Sequence, residues 1–393
     1  MPSINPCRFF HTTIHLTGLP QIAFNLHLLQ CCKRINELYI DIEILVSQLQ
    51  NVISRCERSK LLDDMVRAIA TSLVLSLVRE VNLADKTCLI TGASGSIGLE
   101  LTRCLSLRDC NVLMACRNVY KAKVLAKRNC EKTERLTFYP VNLTSLKSVK
   151  NCAEEILTKE KKIDIVILNA ATFGLPWTVT EDRLETIFQV NFLSQYYLLL
   201  CLGRILASDV RVIFTSSESH RNINWPSSPT LESISLPKEK YTSIKAYNIS
   251  KLCGLLLMHY LSNQWANSKK SVFCAHPGSF IKTGLCRNWW AYEALYTLMM
   301  PFSKSIKQGA STIVYCATSP ELKGETAVYL NNCKRCNESD IAKDIRMSFK
   351  VHDLILNLLR DRADNFDELI KEFGNIKSNV KTNNYYTSCI YQY

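Results

Sequence analysis

Between residues 84 and 336, short apolar runs alternate with stretches in which apolar positions recur every three or four residues. Six runs read as strands: Thr87–Thr91, Asn111–Cys116, Leu136–Pro140, Ile163–Asn169, Arg211–Ser216 and Ser271–His276. A plausible helix or loop follows each. Strand and helix in alternation are the mark of repeated βαβ units, which build a parallel sheet with helices on both faces. The expected fold is therefore α/β, a doubly wound parallel sheet.

The flanks read differently. Residues 1–83 show helical spacing (Ile40, Ile42, Ile44, Leu45, Leu49 and Ile53, then Arg67 to Val81) and no chemical motif. They are expected to form a helical N-terminal extension. Residues 340–360 read as one amphipathic helix with Ile341, Ile345, Phe349, Leu354, Ile355 and Leu358 on its apolar side. The expected organisation is thus an extension (1–83), one α/β domain (84–336), a C-terminal helix packing on it (337–363) and a polar tail (364–393).

Composition narrows the class. The chain has 393 residues, 47% of them hydrophobic and 21% charged, enough to bury a large core. No run of 18 apolar residues exists, so no transmembrane span is expected. Net charge is +13. Basic and acidic side chains nearly balance in both flanks, so residues 84–336 carry the excess. An anionic cofactor would suit it. No block of five basic residues and no zinc-finger spacing occurs, and no nucleic-acid partner is expected. The 18 scattered cysteines read as reduced, small apolar residues in a cytoplasmic type of compartment. The absence of acidic residues before Glu37 leaves a mitochondrial or nuclear address open. Cys333-Lys-Arg-Cys336 lacks a second pair at zinc spacing, and no metal site is expected.

Three of the twelve glycines fall within Thr91-Gly92-Ala93-Ser94-Gly95-Ser96-Ile97-Gly98. This stretch follows an apolar strand and precedes a helix predicted from Leu99 to Leu107. Glycine permits a tight turn and a close approach of backbone N–H groups to a phosphate, and the helix N-terminus adds partial positive charge. The turn thus predicts dinucleotide binding on a Rossmann-like sheet. At the end of the second strand stands Arg117, where an NAD site usually has an acid. A cation there suits a 2′-phosphate, so NADP is favoured over NAD.

Tyr247 and Lys251 are four residues apart at the head of an apolar helical run (Leu252, Leu255, Leu256, Leu257). On a helix they share a face, and an ammonium beside a phenol lowers its pKa toward proton exchange with a carbonyl or alcohol. A second pair with the same spacing, Tyr241 and Lys245, precedes only a short segment. Upstream, one strand ends in Ser216-Ser217 and another in Asn169-Ala170-Ala171. Asn191 falls in a helix predicted to begin near Thr180.

Taken in order, the TGxxxxxG turn, Asn169-Ala170-Ala171, Asn191, Ser217, Tyr247-xxx-Lys251 and Pro277-Gly278 resemble the short-chain dehydrogenase/reductases over residues 84–336. Stretches such as NAATFGLPW (169–177), LETIFQVNFL (184–193) and SSESHR (216–221) resemble the branch in which two WW domains precede the oxidoreductase domain. The resemblance implies Tyr247 as general acid/base, Lys251 as its activator and ribose ligand, Ser217 on the substrate carbonyl and Asn191 in a proton relay. It implies a cofactor site of Gly92, Ser94, Gly95, Ser96, Ile97, Gly98, Arg117, Asn142, Leu143, Asn169, Ala170, Tyr247, Lys251, Pro277 and Gly278. It also implies a steroid- or retinoid-like substrate under the aromatic segment Cys286–Phe302, and a homodimer.

The chain departs from that pattern in places. Its first Trp is Trp177. Residues 1–83 are therefore expected to hold no WW domain, and no Pro-rich ligands are expected. Ser96 stands where Gly or Ala is usual, Asn142-Leu143 replaces Asp-Leu, and Ala171 replaces Gly. These changes leave an alternative, a regulatory or interaction protein that keeps the fold with little turnover.

Overall fold

Seven strands lie side by side and parallel in the order β3-β2-β1-β4-β5-β6-β7, and β8 closes the edge antiparallel to β7. They are β1 Thr87–Thr91, β2 Asn111–Cys116, β3 Leu136–Pro140, β4 Ile163–Leu168, β5 Leu206–Thr215, β6 Ser271–His276, β7 Val328–Asn331 and β8 Lys334–Arg335. This architecture comes from a computed structural model that describes residues 81–278, 281, 283–286, 304–363, 366 and 369. The expected helices before residue 81, the segment Cys286–Phe302 and the tail lie almost wholly outside the described residues.

Side chains alternate across each strand, as the pleat requires. Leu89, Leu113, Val166, Val212 and Cys274 face one core. Ile90, Val112, Ile167, Ile213 and Phe273 face the other. Helices α1 (Ser96–Ser106), α2 (Val119–Asn129) and α6 (Ile306–Thr318) supply buried residues to the second core, among them Leu101, Ala122 and Ile313. Helices α3 (Leu146–Lys159), α4 (Ser194–Cys201), α5 (Ser243–Gln264) and α7 (Ile345–Arg360) cover the first. The strand order reverses between β1 and β4, and crevices for ligands form at the carboxyl ends of strands at such a switch.

The differences from the sequence pattern are local. Strand β5 starts at Leu206, five residues before its predicted start, because a register shift at Ile163/Ile165 lets Leu206 pair with Ile163. β7 and β8 were not predicted. They are too short to show periodicity, and they are joined by Asn332 and Cys333, both at positive φ, the geometry of a type I′ hairpin. The helix expected over 340–360 is broken. Asp344 ends Asp340–Lys343, and its side chain accepts the N–H groups of Arg346 and Met347 to start α7 afresh. The expected apolar side largely holds: Ile355 and Leu358 are buried and Ile341, Phe349 and Leu354 pack on the core, Ile345 alone is exposed, and Met347, Val351, Leu356 and Leu359 join the buried face.

Among the described residues no helix is long and apolar enough to cross a membrane.

Candidate active site

At the switch point the chain leaves β1 through a turn that only glycine can make. Gly92 has φ +63°, and a Cβ on it would lie 2.8 Å from Ala170 Cα. A Cβ on Gly98 would lie 2.3 Å from the Gly92 carbonyl oxygen, so α1 can pack this close only with glycine there. Helix α1 begins at Ser96, three residues earlier than the predicted Leu99, with Gly95 at its N-cap. No side chain caps it and its first turn holds no acid. Ser94, Ser96 and Ile97 are half-buried around this helix end. An uncapped, acid-free N-terminus beside a cradle that a side chain would fill suits the pyrophosphate of a dinucleotide.

Thr91 ties this turn to the neighbouring strand. Its hydroxyl accepts the N–H of Asn169 (2.9 Å) and of Ala170 (3.1 Å), and donates to Gln195 Oε1 (2.5 Å). Asn169 Nδ2 donates to the Thr91 carbonyl. Gln195 Nε2 reaches the carbonyls of Asn191 (2.8 Å) and Ala170 (2.9 Å). The sequence pattern marks Thr91 only as the head of the glycine turn and does not mark Gln195. The available signal was a buried-type polar residue in the apolar run Phe192 to Leu200.

Farther out, Arg117 is exposed just past β2, beside Asn118, whose side chain caps α2 through Lys121 N–H (2.8 Å). Asn142 folds onto its own loop: its Oδ1 accepts both the N–H and the hydroxyl of Thr144. Leu143 is buried, and its carbonyl accepts from Ser194 Oγ (2.7 Å).

The second group of residues gathers on α5, which Thr242 caps through Lys245 N–H. Tyr247 and Lys251 lie one helical turn apart, with Lys251 Nζ 5.3 Å from the centre of the Tyr247 ring. Lys251 is buried, and its Nζ donates to the Thr215 carbonyl at 2.8 Å. Burial pushes its pKa down to about 8. Phe173 meets the half-buried Tyr247 ring edge-on at 5.2 Å. The other pair does not form. Tyr241 lies before the helix with its hydroxyl on the Leu175 carbonyl, and Lys245 is exposed.

Asn191 belongs not to an α-helix from Thr180 but to a π-helical segment, Gln189–Leu193, that follows a turn starting at Thr186. The Glu185 carboxylate opens that turn by accepting the N–H groups of Ile187 and Phe188. Such π segments are frequent at functional sites. Asn191 Oδ1 accepts from Thr172 N–H (2.7 Å), and Nδ2 donates to the Thr172 carbonyl and to Ser250 Oγ (3.1 Å). Ser250 donates in turn to the Tyr247 carbonyl (2.7 Å). Asn191 is thereby linked to the helix of Tyr247 through a residue that spacing alone did not mark.

Ser217 directly follows the strand end Thr215-Ser216, and its Oγ accepts the N–H of Ser219 (3.3 Å). Pro277 and Gly278 follow β6. Gly278 has φ +112°, and Lys304, which donates to Asn332 Oδ1, occupies the space a side chain there would need. Cys333 is a free thiol, and the Cys336 thiol donates to the Lys334 carbonyl. Among the described residues no group of three or more His, Cys, Asp or Glu is placed to hold a metal ion.

Known proteins resemble this chain in sequence and in fold. The family model for short chain dehydrogenases matches residues 86–227. The WW domain-containing oxidoreductase of Drosophila melanogaster is 39% identical over 295 residues, 74% of this chain and 72% of that protein. Retinol dehydrogenase 12 of Mus musculus is 32% identical over 283 residues, 71% of this chain and 88% of that protein. The crystal structure of a short-chain type dehydrogenase/reductase from Mycobacterium marinum superposes with a TM-score of 0.52 at 20% identity, over 64% of this chain and 96% of that one. By its sequence relatives and by its fold, this chain belongs to the short-chain dehydrogenase/reductase family of NAD(P)-dependent oxidoreductases.

Proposed function

We propose that this chain interconverts an alcohol and a carbonyl on a lipophilic substrate, with NADP as the preferred nucleotide. The burial of Lys251 beneath Tyr247 carries the reading. An ammonium 5.3 Å from a phenol ring stabilises phenolate, and a low-dielectric setting strengthens the effect. Tyr247 then gives its Oη proton to a carbonyl oxygen during reduction, and takes it back during oxidation. The Ser217 hydroxyl, whose oxygen already accepts from Ser219, donates its hydrogen to the same substrate oxygen. Asn191 holds the segment after β4 against the helix of Tyr247, which keeps the reacting groups in register.

When bound, the nicotinamide nucleotide supplies or accepts the hydride. Gly92, Ser94, Gly95, Ser96, Ile97 and Gly98 would hold its pyrophosphate at the α1 N-terminus, and Arg117 its 2′-phosphate. Asn142 and Leu143 would lie beside the adenine, Asn169, Ala170 and Lys251 beside the ribose, and Pro277 and Gly278 beside the nicotinamide.

A lipophilic substrate is supported by the apolar surroundings of Tyr247. Phe173 is buried against it, and Tyr247 itself packs half-buried on the apolar core that Leu175, Ile223, Trp225 and Tyr241 also join. The name of the mouse relative, a retinol dehydrogenase, points the same way.

The test is turnover of retinal and of a steroid ketone with NADPH, for the wild type and for Tyr247→Phe. Loss of roughly 10²-fold or more in kcat, with NADPH affinity retained, is expected. Equal turnover in the two proteins, or none in the wild type with either substrate, overturns the reading.

A further inference from the structure

The turn that carries Ser217 is fastened from behind by groups that the proposed chemistry does not use. His220 is fully buried in the short helix Glu218–Arg221. Its Nδ1 lies 2.7 Å from the Ser217 carbonyl oxygen, and its Nε2 lies 3.2 Å from the backbone nitrogen of Ser339. A backbone N–H can only donate and a carbonyl can only accept. Nε2 must therefore be bare and Nδ1 must carry the hydrogen. One neutral tautomer satisfies both neighbours, and the other tautomer satisfies neither.

Four further contacts hold the same turn. Glu218 accepts from Tyr329 Oη on β7 (2.5 Å) and from Arg221 Nε (2.7 Å). Arg221 also donates to the Asn337 carbonyl. The edge of the His220 ring meets Tyr329 at 5.4 Å. Residues from three parts of the chain, Ser217–Arg221, Tyr329 and Asn337–Ser339, thus close on one buried imidazole.

We infer that His220 is a positioning residue for Ser217, a neutral Nδ1–H strut that sets the Ser217 backbone against the segment following the last strand. The inference rests on the reading of Ser217 as the group that holds the substrate oxygen. A carbonyl anchored in this way fixes where the adjoining Cα–Cβ–Oγ arm begins, and displacements near 1 Å are costly to a donor that must meet a reacting atom.

The contact separates by substitution. The amide nitrogen of His220→Asn stands near the place of Nδ1 and can still donate to Ser217. His220→Gln reaches instead toward the place of Nε2, and His220→Ala keeps neither. With NADPH and retinal, His220→Asn is expected to hold kcat within roughly threefold, while His220→Gln and His220→Ala lose roughly tenfold or more, with NADPH affinity unchanged in all three. Equal kcat in all three, or losses that track weakened NADPH binding, overturns the inference.

Ser217→Ala separates this outcome from a failure of the functional reading. If Ser217→Ala loses turnover while every His220 variant keeps it, the inference alone falls. If Ser217→Ala keeps full turnover, the role of Ser217 falls and the inference with it. A measurement free of turnover is the long-range ¹H–¹⁵N spectrum of the wild-type imidazoles. The His220 ring should show hydrogen on Nδ1 only, and hydrogen on Nε2 at pH 7 would overturn the assignment.

Discussion

Lys251 Nζ donates to the carbonyl of Thr215 at 2.8 Å, so the helix that carries Tyr247 is bonded to the end of strand β5. The same ammonium lies beneath the Tyr247 ring. Because burial lowers the Lys251 pKa to about 8, its charge is present below that pH and is lost above it. Carbonyl reduction should therefore decline as pH rises through about 8. Lys251→Met should reduce kcat roughly 10²-fold and abolish that limb of the profile. A pH–rate series on both proteins checks it.

Arg117 is exposed at the end of β2, with no acid in its place to meet ribose hydroxyls. A cation near a 2′-phosphate contributes about 1.5–3 kcal/mol when hydrogen-bonded, and less at an exposed position. Arg117→Ala should weaken NADPH binding roughly tenfold and leave NADH binding nearly unchanged. Fluorescence titration with each nucleotide reads this directly. Equal weakening of both would remove Arg117 from the basis of nucleotide choice.

Two glycines make opposite forecasts. Gly98→Ala drives a methyl to 2.3 Å from the Gly92 oxygen, against backbone that has nowhere to go. It should lower the melting temperature and abolish nucleotide binding together. Gly324 has positive φ (+83°), unlike Gly98, yet a Cβ there meets nothing within 4 Å. Gly324→Ala should cost about 1–2 kcal/mol of backbone strain and leave nucleotide binding intact. Thermal melts with and without NADPH distinguish the two.

Glu185 is buried, and its carboxylate is held by two backbone N–H groups. Burial raises its pKa from 4.5 to about 7, against the opposing pull of those two donors. Between these values the folded state binds the proton that the unfolded chain releases. The contribution is thus full below about 4.5 and is lost as pH rises through 7. Relative to Glu185→Gln, the wild type should lose up to about 3 kcal/mol between pH 4.5 and 8. Urea unfolding of both proteins across that range measures the difference.

Much of the fold was legible because its strands are central and parallel. A strand buried on both faces must be apolar along its length, and β1, β2 and β6 stand where the runs placed them, as does β3, a part-exposed strand at the sheet edge. β7 and β8 escaped because four and two residues are too few to show a period. The apolar spacing over 340–360 runs across Asp344 and so predicts a single helix. Periodicity does not register that an aspartate can cap as well as interrupt.

Local patterns determined the βαβ alternation, the glycine turn and the pairing of Tyr247 with Lys251 on one helix face. Each follows from neighbours a few residues apart, where sterics and helical pitch leave little choice. Only the tertiary structure decided the rest. It put Thr215 against Lys251, Gln195 between Thr91 and Asn191, and Ser339 behind His220. These contacts join residues 36, 104, 4 and 119 positions apart, and all but that of Gln195 with Asn191, which links adjacent helical segments, join residues distant in the chain. A hydrogen bond between distant residues leaves no periodic trace in the chain, because its geometry exists only once the sheet has brought both ends to one edge.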